Sequence, residues 1–464
     1  MNEIKTIIFS KNRPCQLELL LRSLNIPATI LFTYDPEFEE GYNKLIKMYP
    51  NFDFVKETDF KRQIIVLSKS KKYVMFLCDD DIMINPFDKE CSEFYEFKKD
   101  NDILCLTLRL CKKYQRAPSS MKDNKWEWKN EPKDWGYPMS VTSNIFRRDD
   151  ILPVMEREIF TNPNNLEVKL RRNAPDRPLM MCFDEPKIIN NLANQVQKQY
   201  PNPNHANVSL IELNQRFLNG EKLSLKYIKE KAKESNCCFL ATDFVWGDNW
   251  LSGFKKNITS QRGEDGIIKK IFEVLDIKKG WCVDVGAYGK QLSNTYNLIN
   301  NGWGGILLEM DKSRYLDLVD LYRGKDNIYC FNGEIQSKGM DSLEDYLDRI
   351  VLPYDLDFLT IDVDGKDYYI WKHLLKYTPK VVVIEFNPTF GFNDYLQEEN
   401  GEGGASLSKM IELGKSKGYE LITTTNFNAF FVRKDLFDKF EINNNSIKEL
   451  FVENNDSYGE KTKI

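Results

Sequence analysis

The feature that most constrains this 464-residue chain is an alternation of strand-like and helix-like segments that starts twice. Residues 4–9 read as a strand, and residues 15–24 place Leu17, Leu20, Leu21 and Leu24 on one helix face. Strand signals return at 28–33, 52–55 and 73–78, with helical spacing at 42–48 and 60–70 between them. Residues 112–138 break the pattern with a polar, Trp-rich loop, and Pro and Asn cluster at 200–205 ahead of a lysine-rich helix at 223–234. The alternation then restarts: helix 264–275, strands 281–285 and 305–308, helix 342–350, strands 358–363 and 380–386, helix 406–417. Two closing strands, 419–424 and 429–432, join through Asn426 and Asn428. Such alternation predicts parallel sheets with ligands at the carboxyl ends of their strands. The length exceeds what one core supports, so the expectation is an α/β protein of two α/β domains. Their expected bounds are 1–240 and 258–440, joined by a linker at 241–257 and followed by a peripheral tail at 441–464.

Charge and composition narrow the function classes. Seventy acidic against 65 basic residues leave a net charge of -5, which argues against a nucleic-acid binder. No apolar run approaches the ~20 residues of a membrane span, and the first residues read as a strand rather than a signal peptide. The ten cysteines include no C-x-x-C pair and several sit in apolar runs, which fits reduced thiols and a cytoplasmic location. With only His205 and His373 present, chemistry falls on carboxylates, lysines and bound ions. His373 lies in a helical segment, residues 368–375, where a satisfied histidine is expected.

In the N-terminal half, three adjacent carboxylates, Asp79, Asp80 and Asp81, end the strand at 73–78. Like charges so close disfavour joint ionisation unless a cation lies among them. A hard divalent ion, Mg2+ or Mn2+, relieves that strain and bridges to phosphate, with Asp79 and Asp81 as its ligands. A solvated acidic turn is the alternative reading. Ser10, Lys11, Asn12, Arg13 and Pro14 follow the first strand, where Arg13 can meet a base or a diphosphate, and Asp35 ends the second.

This order resembles the GT-A glycosyltransferases of D-x-D type over residues 1–240. The likeness continues through Trp126, Trp128 and Trp135, then Ser143 to Arg148, then Asn162 to Glu167. It implies a nucleotide-sugar donor held by Ser10, Arg13, Asp35, Asp79 and Asp80, a glycan acceptor, and inverting transfer. Glu167 stands where such enzymes place the base for the acceptor hydroxyl, with Asp149, Asp150, Asp184 and Glu185 as rivals. The three tryptophans suit stacking on an acceptor sugar, although loop tryptophans more often pack than bind.

In the C-terminal half, the strand at 281–285 opens into Asp284, Gly286, Ala287 and Gly289. A dinucleotide loop would favour G-x-G-x-x-G, and here an acid stands in place of the first glycine. Glu309 ends the next strand, 25 residues on, placed for a bidentate hold on ribose. Acids at successive strand ends favour S-adenosyl-L-methionine (SAM) over NAD.

With Glu264 and Asp265, Asn294, Asp362 and Asp364, and Glu385 followed by Asn387, the segments come in the order of FkbM-type methyltransferases, over about 258–435. The resemblance implies a Rossmann-like class I domain that O-methylates a sugar or similar hydroxyl. The SAM contacts expected from it are Glu264, Asp265, Asp284, Gly286, Ala287, Gly289, Asn294, Glu309 and Asp362. Asp362, Asp364 and Glu385 are the candidates for proton acceptor. The leading expectation is therefore a bifunctional enzyme of polysaccharide biosynthesis that joins glycosyl transfer to methylation. A methyltransferase whose N-terminal half only binds glycan is the alternative.

Overall fold

The structure, a computed structural model, describes residues 3–193, 196, 208–399, 401 and 403–452. It is mixed α/β, and the chain divides into two compact units, Met1–Trp246 and Gly247–Ile464. The loop expected at 200–205, with His205, lies outside the described residues.

The strands of the first unit are β1 (Ile4–Lys11), β2 (Thr29–Thr33), β3 (Asp53–Lys56), β4 (Tyr73–Cys78), β5 (Asp81–Met83) and β6 (Ile103–Cys111). Next come β7 (Lys125–Glu127), β8 (Asn144–Arg147), β9 (Leu179–Phe183), β10 (Ile188–Asn191) and β11 (Phe239–Leu240). Eight form one sheet in the order β3-β2-β1-β4-β8-β6-β9-β7, and β11-β10-β5 form a small second sheet. The pairs β3·β2, β2·β1 and β1·β4 are parallel, while β8 runs antiparallel to both of its neighbours. Chain order therefore reverses between β1 and β4. In open α/β sheets that reversal leaves a crevice at the carboxyl ends of the two strands.

Two local signals set up the crevice. Asn12 takes the left-handed conformation (φ 58°), which Asn tolerates better than most residues. Pro14 then opens helix Pro14–Ser23 at its first turn, where a missing N–H costs nothing. On the far side, Asn162 caps helix Pro163–Arg172 by accepting from the Asn165 N–H.

The second unit contains β12 (Trp281–Val285), β13 (Gly304–Glu309), β14 (Ile328–Asn332), β15 (Phe358–Ile361), β16 (Val381–Glu385), β17 (Tyr419–Thr424) and β18 (Asn428–Arg433). They form one sheet, β14-β13-β12-β15-β16-β18-β17, parallel through β16 and closed by antiparallel β18 and β17. Relative to the chain, the parallel strands follow the 3-2-1-4-5 order of Rossmann-like folds, with the reversal between β12 and β15. Val283, Ile306, Leu359, Val382 and Phe431 are fully buried in its core.

Three expectations need correction. The 241–257 stretch is no plain connector: Trp250 is fully buried and its indole N–H donates to the Phe440 carbonyl (2.9 Å). Nor is the described part of the tail peripheral. Leu450 is fully buried, and its carbonyl accepts from Asn249 Nδ2 (3.0 Å) and Thr424 Oγ1 (2.8 Å). Asparagine-rich composition masked the apolar set Ile442, Ile447, Leu450 and Phe451, three of which pack on the core of the unit. Third, the Trp-rich 112–138 stretch contributes β7 and a 3-10 turn, Lys133–Gly136. Among the described residues no helix is long and apolar enough to cross a membrane.

Truncating Leu450 to Ala is expected to lower the unfolding free energy of the second unit by about 2–5 kcal/mol, read by urea denaturation. An unchanged midpoint would return residues 441–452 to the status of a loose tail.

Candidate functional site

Each unit gathers carboxylates at its strand reversal. In the first, β4 ends in a turn whose acids are held by the β1 side. Arg13 Nη1 donates to Asp79 Oδ1 (3.0 Å) and Asp80 Oδ2 (3.1 Å), a shared ion pair almost wholly removed from water. Asp79 Oδ2 accepts from Ser10 Oγ (2.9 Å) and from the Lys11 N–H (3.1 Å). Burial still pushes Asp79 up to about 6, against the pull of Arg13.

Asp81 faces the other way. It is fully buried on β5, where Oδ2 accepts from the Cys78 N–H (2.9 Å) and Oδ1 lies 3.3 Å from Asn190 Nδ2. The same amide donates to Asp80 Oδ1 (2.9 Å). The expected pair Asp79 and Asp81 therefore shares no partner: Asp79 joins Asp80 through Arg13, and Asp80 joins Asp81 through Asn190. Asp81 turns inward because β5 pairs with β10, which buries that face. Burial, with Asp80 beside it, pushes Asp81 up to about 7.

Among the described residues no cluster of three or more His, Cys, Asp or Glu side chains is arranged to hold a metal ion. The donor set nonetheless leaves charge to be matched. Arg13 pairs with Asp79 and Asp80, while Arg109, which also bears on Asp81, is itself paired with Asp134 (2.7 Å).

Arg13, Asp79, Asp80 and Arg109, but not the inward-turned Asp81, line a cleft of about 1160 Å³. Ser10, Arg13, Asp79 and Asp80 form one wall, and Glu167 stands in another. Glu167 Oε1 accepts from the Tyr137 hydroxyl (2.8 Å), and Oε2 accepts from the Val141 N–H (2.8 Å) and Ser140 Oγ (3.3 Å). A carboxylate offers about four lone-pair sites, so one remains for a ligand hydroxyl. The rivals do not line this cleft. Asp150 pairs with Arg177 (2.9 Å), Asp149 with Arg148 (2.7 Å), Asp184 with Lys112 and Glu185 with Lys113. Asp35 is exposed and bound to Asn12, whose Nδ2 donates to its carboxylate (2.6 Å). The tryptophans pack rather than stack on a ligand. Trp126 is 1% exposed, its N–H donates to the Trp135 carbonyl (2.8 Å) and their rings meet edge-on; Trp128 donates to the Arg177 carbonyl.

Sequence reading missed Tyr42, Asn190 and Arg109. Tyr42 is fully buried, with its hydroxyl 2.6 Å from Ser10 Oγ and accepting from the Arg13 N–H (3.3 Å). Only its apolar spacing was visible, which is the signature of an ordinary core residue.

In the second unit, Asp284 (β12), Glu309 (β13), Asp362 (just past β15) and Glu385 (β16) stand at the ends of four neighbouring parallel strands. Asp284 is buried, accepts from Thr295 Oγ1 (2.6 Å), and burial pushes it up to about 6. Asp362 is pushed up to about 7 by burial and then by Asp367, Asp364, Asp284 and Glu264. Glu385, hydrogen-bonded to Asp362, is pushed up to about 9 by burial and by that neighbour. Two such groups share a proton rather than both ionise.

The remaining candidates divide by role. Gly286 (φ 89°) passes so close to β15 that a Cβ would sit 2.0 Å from the Asp362 carbonyl oxygen. The Gly286 and Ala287 N–H groups both donate to the Leu308 carbonyl (3.0 Å), pinning the loop to β13. Asn294 Nδ2 donates to Thr360 Oγ1 (3.1 Å), and Glu309 Oε1 accepts from the Asp311 N–H (2.7 Å).

Asp265 holds a loop: Oδ2 accepts from the N–H groups of Ile258, Thr259 and Ser260 (2.7–2.8 Å). Glu264 likewise accepts from the Arg262 N–H (2.7 Å) and Thr425 Oγ1 (2.9 Å). Gly289 has open space around it and Asp364 is exposed in a left-handed turn (φ 55°). Asp367, which sequence reading passed over, holds that turn by accepting from the Val363 and Gly365 N–H groups (2.9 Å each). His373 lies 3.9 Å from Glu399.

No family model matches the chain. Over 291 residues, 51% of its length, the chain is 29% identical to the bifunctional glycosyltransferase pgtA of Dictyostelium discoideum, of which it covers 38%. A stretch of 89 residues, 19% of the chain, is 33% identical to the calcium-binding mitochondrial carrier SAL1 of Saccharomyces cerevisiae and covers 16% of it. The chain thus spans well under half the length of these curated relatives. Among solved structures, a SAM-dependent methyltransferase from Clostridium acetobutylicum ATCC 824 covers 37% of this chain and 90% of its own, at 11% identity and a TM-score of 0.26. Aeropyrum pernix fibrillarin with natively bound SAM covers 33% and 66%, at 14% identity and the same score. Scores that low set no constraint on chemistry.

A carboxyl raised in the folded state binds more protons there than in the unfolded chain, so stability falls as pH rises between the two values. For Glu385 that window runs from its ordinary 4.5 to about 9. Glu385→Gln is therefore expected to melt above the wild type at pH 9 and together with it near pH 5, by differential scanning fluorimetry. A constant offset across that range would contradict the shared-proton assignment.

Proposed function

We propose that the chain is a bifunctional glycan-modifying enzyme: the first unit transfers a sugar from a nucleotide donor, and the second O-methylates a sugar hydroxyl with SAM. The observation that carries this reading is the placement of a carboxylate set at the strand reversal of each unit, where α/β folds bind nucleotides. The likeness to a bifunctional glycosyltransferase over half the chain supports the first activity.

In the first cleft, the Arg13 guanidinium is the fixed positive charge for a diphosphate, oriented by Asp79 and Asp80. A divalent ion, Mn2+ or Mg2+, belongs to this reading; the carboxylates that line the cleft, Asp79 and Asp80, would hold it rather than the inward-turned Asp81, and it would neutralise the departing diphosphate. Glu167 takes the proton of the acceptor hydroxyl through its remaining lone pair, with Tyr137, Ser140 and Val141 fixing its direction. Attack from the face opposite the leaving group gives inversion. A glycan-binding module without catalysis would need no such acid across the cleft from Arg13, which favours the enzymatic reading.

In the second unit, SAM when bound supplies a methyl group on a cationic sulfur. Glu309 offers a free oxygen for the ribose hydroxyls, and the acids around Asp362 match the positive charge. The Asp362–Glu385 pair receives the proton of the attacking hydroxyl, while Gly286 and Ala287 keep the loop in place. The nucleotide-sugar, the glycan and the reducing cytoplasm belong to the same proposal.

Glu167→Gln is expected to lower sugar transfer by about 10²–10⁴-fold while nucleotide binding stays intact, measured by transfer assay and calorimetry. A variant that keeps full transfer would remove Glu167 from the chemistry. Glu309→Ala should weaken SAM binding without touching nucleotide binding, and equal SAM affinity in both proteins would sink the ribose role.

A further inference from the structure

The cleft of the first unit contains an acid that the chemistry above leaves unused. Glu57 follows β3 directly, lines the cleft beside Thr33 at the end of β2, and shares that end with Phe9, Leu31 and Phe60. Its N–H donates to the Phe32 carbonyl (2.8 Å), which fixes its backbone against the neighbouring strand. No described group donates a hydrogen bond to its carboxylate. Burial raises its pKa, and Lys11, across the rim, draws it back down.

Position gives this acid its meaning. Glu57 and the Arg13–Asp79–Asp80 cluster stand at the ends of β3 and β4, with β2 and β1 between them. Three strand spacings of ~4.8 Å separate them, roughly 14 Å. That is the reach of an extended nucleoside diphosphate. With the diphosphate at Arg13, the base falls at Glu57 on the apolar floor.

We propose that Glu57 reads the base and selects guanine, so that the donor is a GDP-sugar. A carboxylate presents two adjacent acceptors and no donor. Guanine presents two adjacent donors on its pairing edge, N1–H and the N2 amine, with O6 alongside for the Lys11 ammonium. Uracil and thymine present one N–H between two carbonyls, so the second carboxylate oxygen would face a carbonyl. Adenine and cytosine present an amine beside a ring-nitrogen acceptor, which meets the same conflict. A bidentate pair of this kind discriminates among bases by about ten- to a hundredfold.

This inference rests on the glycosyl-transfer reading and can fail separately from it. The full chain is titrated calorimetrically with GDP, UDP, dTDP, CDP and ADP in the presence of Mn2+. GDP is expected to bind about ten- to a hundredfold tighter than UDP. Glu57→Gln, whose amide offers one donor and one acceptor, is expected to shift the preference toward UDP. UDP or dTDP binding as tightly as GDP in the wild type overturns the guanine assignment alone, as does an unchanged ratio in Glu57→Gln. If none of the five binds, the glycosyl-transfer reading falls and this inference with it. The wild-type ranking decides the matter even if the variant does not fold.

Discussion

Negative charge gathered at the carboxyl ends of parallel strands has to be matched, and the two units match it differently. In the first, a guanidinium built into the chain lies between Asp79 and Asp80, and a buried relay keeps it there. Asn12 sets the turn, Pro14 starts the helix, and the Tyr42 hydroxyl ties the Arg13 backbone to Ser10. In the second, burial is the largest influence on Asp362 and Glu385, and the neighbours that act on them next are other carboxylates. Protons take the place of a cation there.

On the proposed reading, that contrast would suit the two sites to different ligands. A pocket with a fixed guanidinium is ready for a diphosphate, because little reorganisation is needed when the anion enters. A pocket whose acids hold protons gains by exchanging them for a cationic ligand. On the proposed reading, the same fold logic, strand reversal plus acids, is tuned to an anionic donor in one unit and a cationic donor in the other.

Much of this was legible in the sequence, and what was not has a physical cause. The strand end at Cys78 could be read because the apolar run stops abruptly at three acids there. Helix starts at Ser342 and Ser406 could be read because a capping side chain announces them. The orientation of Asp81 could not, since it depends on β5 pairing with β10, more than a hundred residues away. Tyr42 looked like core because it is core, and its hydroxyl matters only through Ser10 and Arg13. Asp265 and Asp367 looked like ligand contacts or went unnoticed, and the structure commits both to backbone N–H groups. The tryptophans pack, as loop tryptophans more often do: Trp126 and Trp135 form a buried, edge-on pair.

The central claim, one charge-matched ligand site per unit, is tested most directly by calorimetry on the intact chain with two variants. The account predicts that Arg13→Ala abolishes nucleoside diphosphate binding and leaves S-adenosylhomocysteine binding unchanged, while Asp362→Asn does the reverse. Loss of both ligands in either variant, or no binding of either ligand to the wild type, would contradict it.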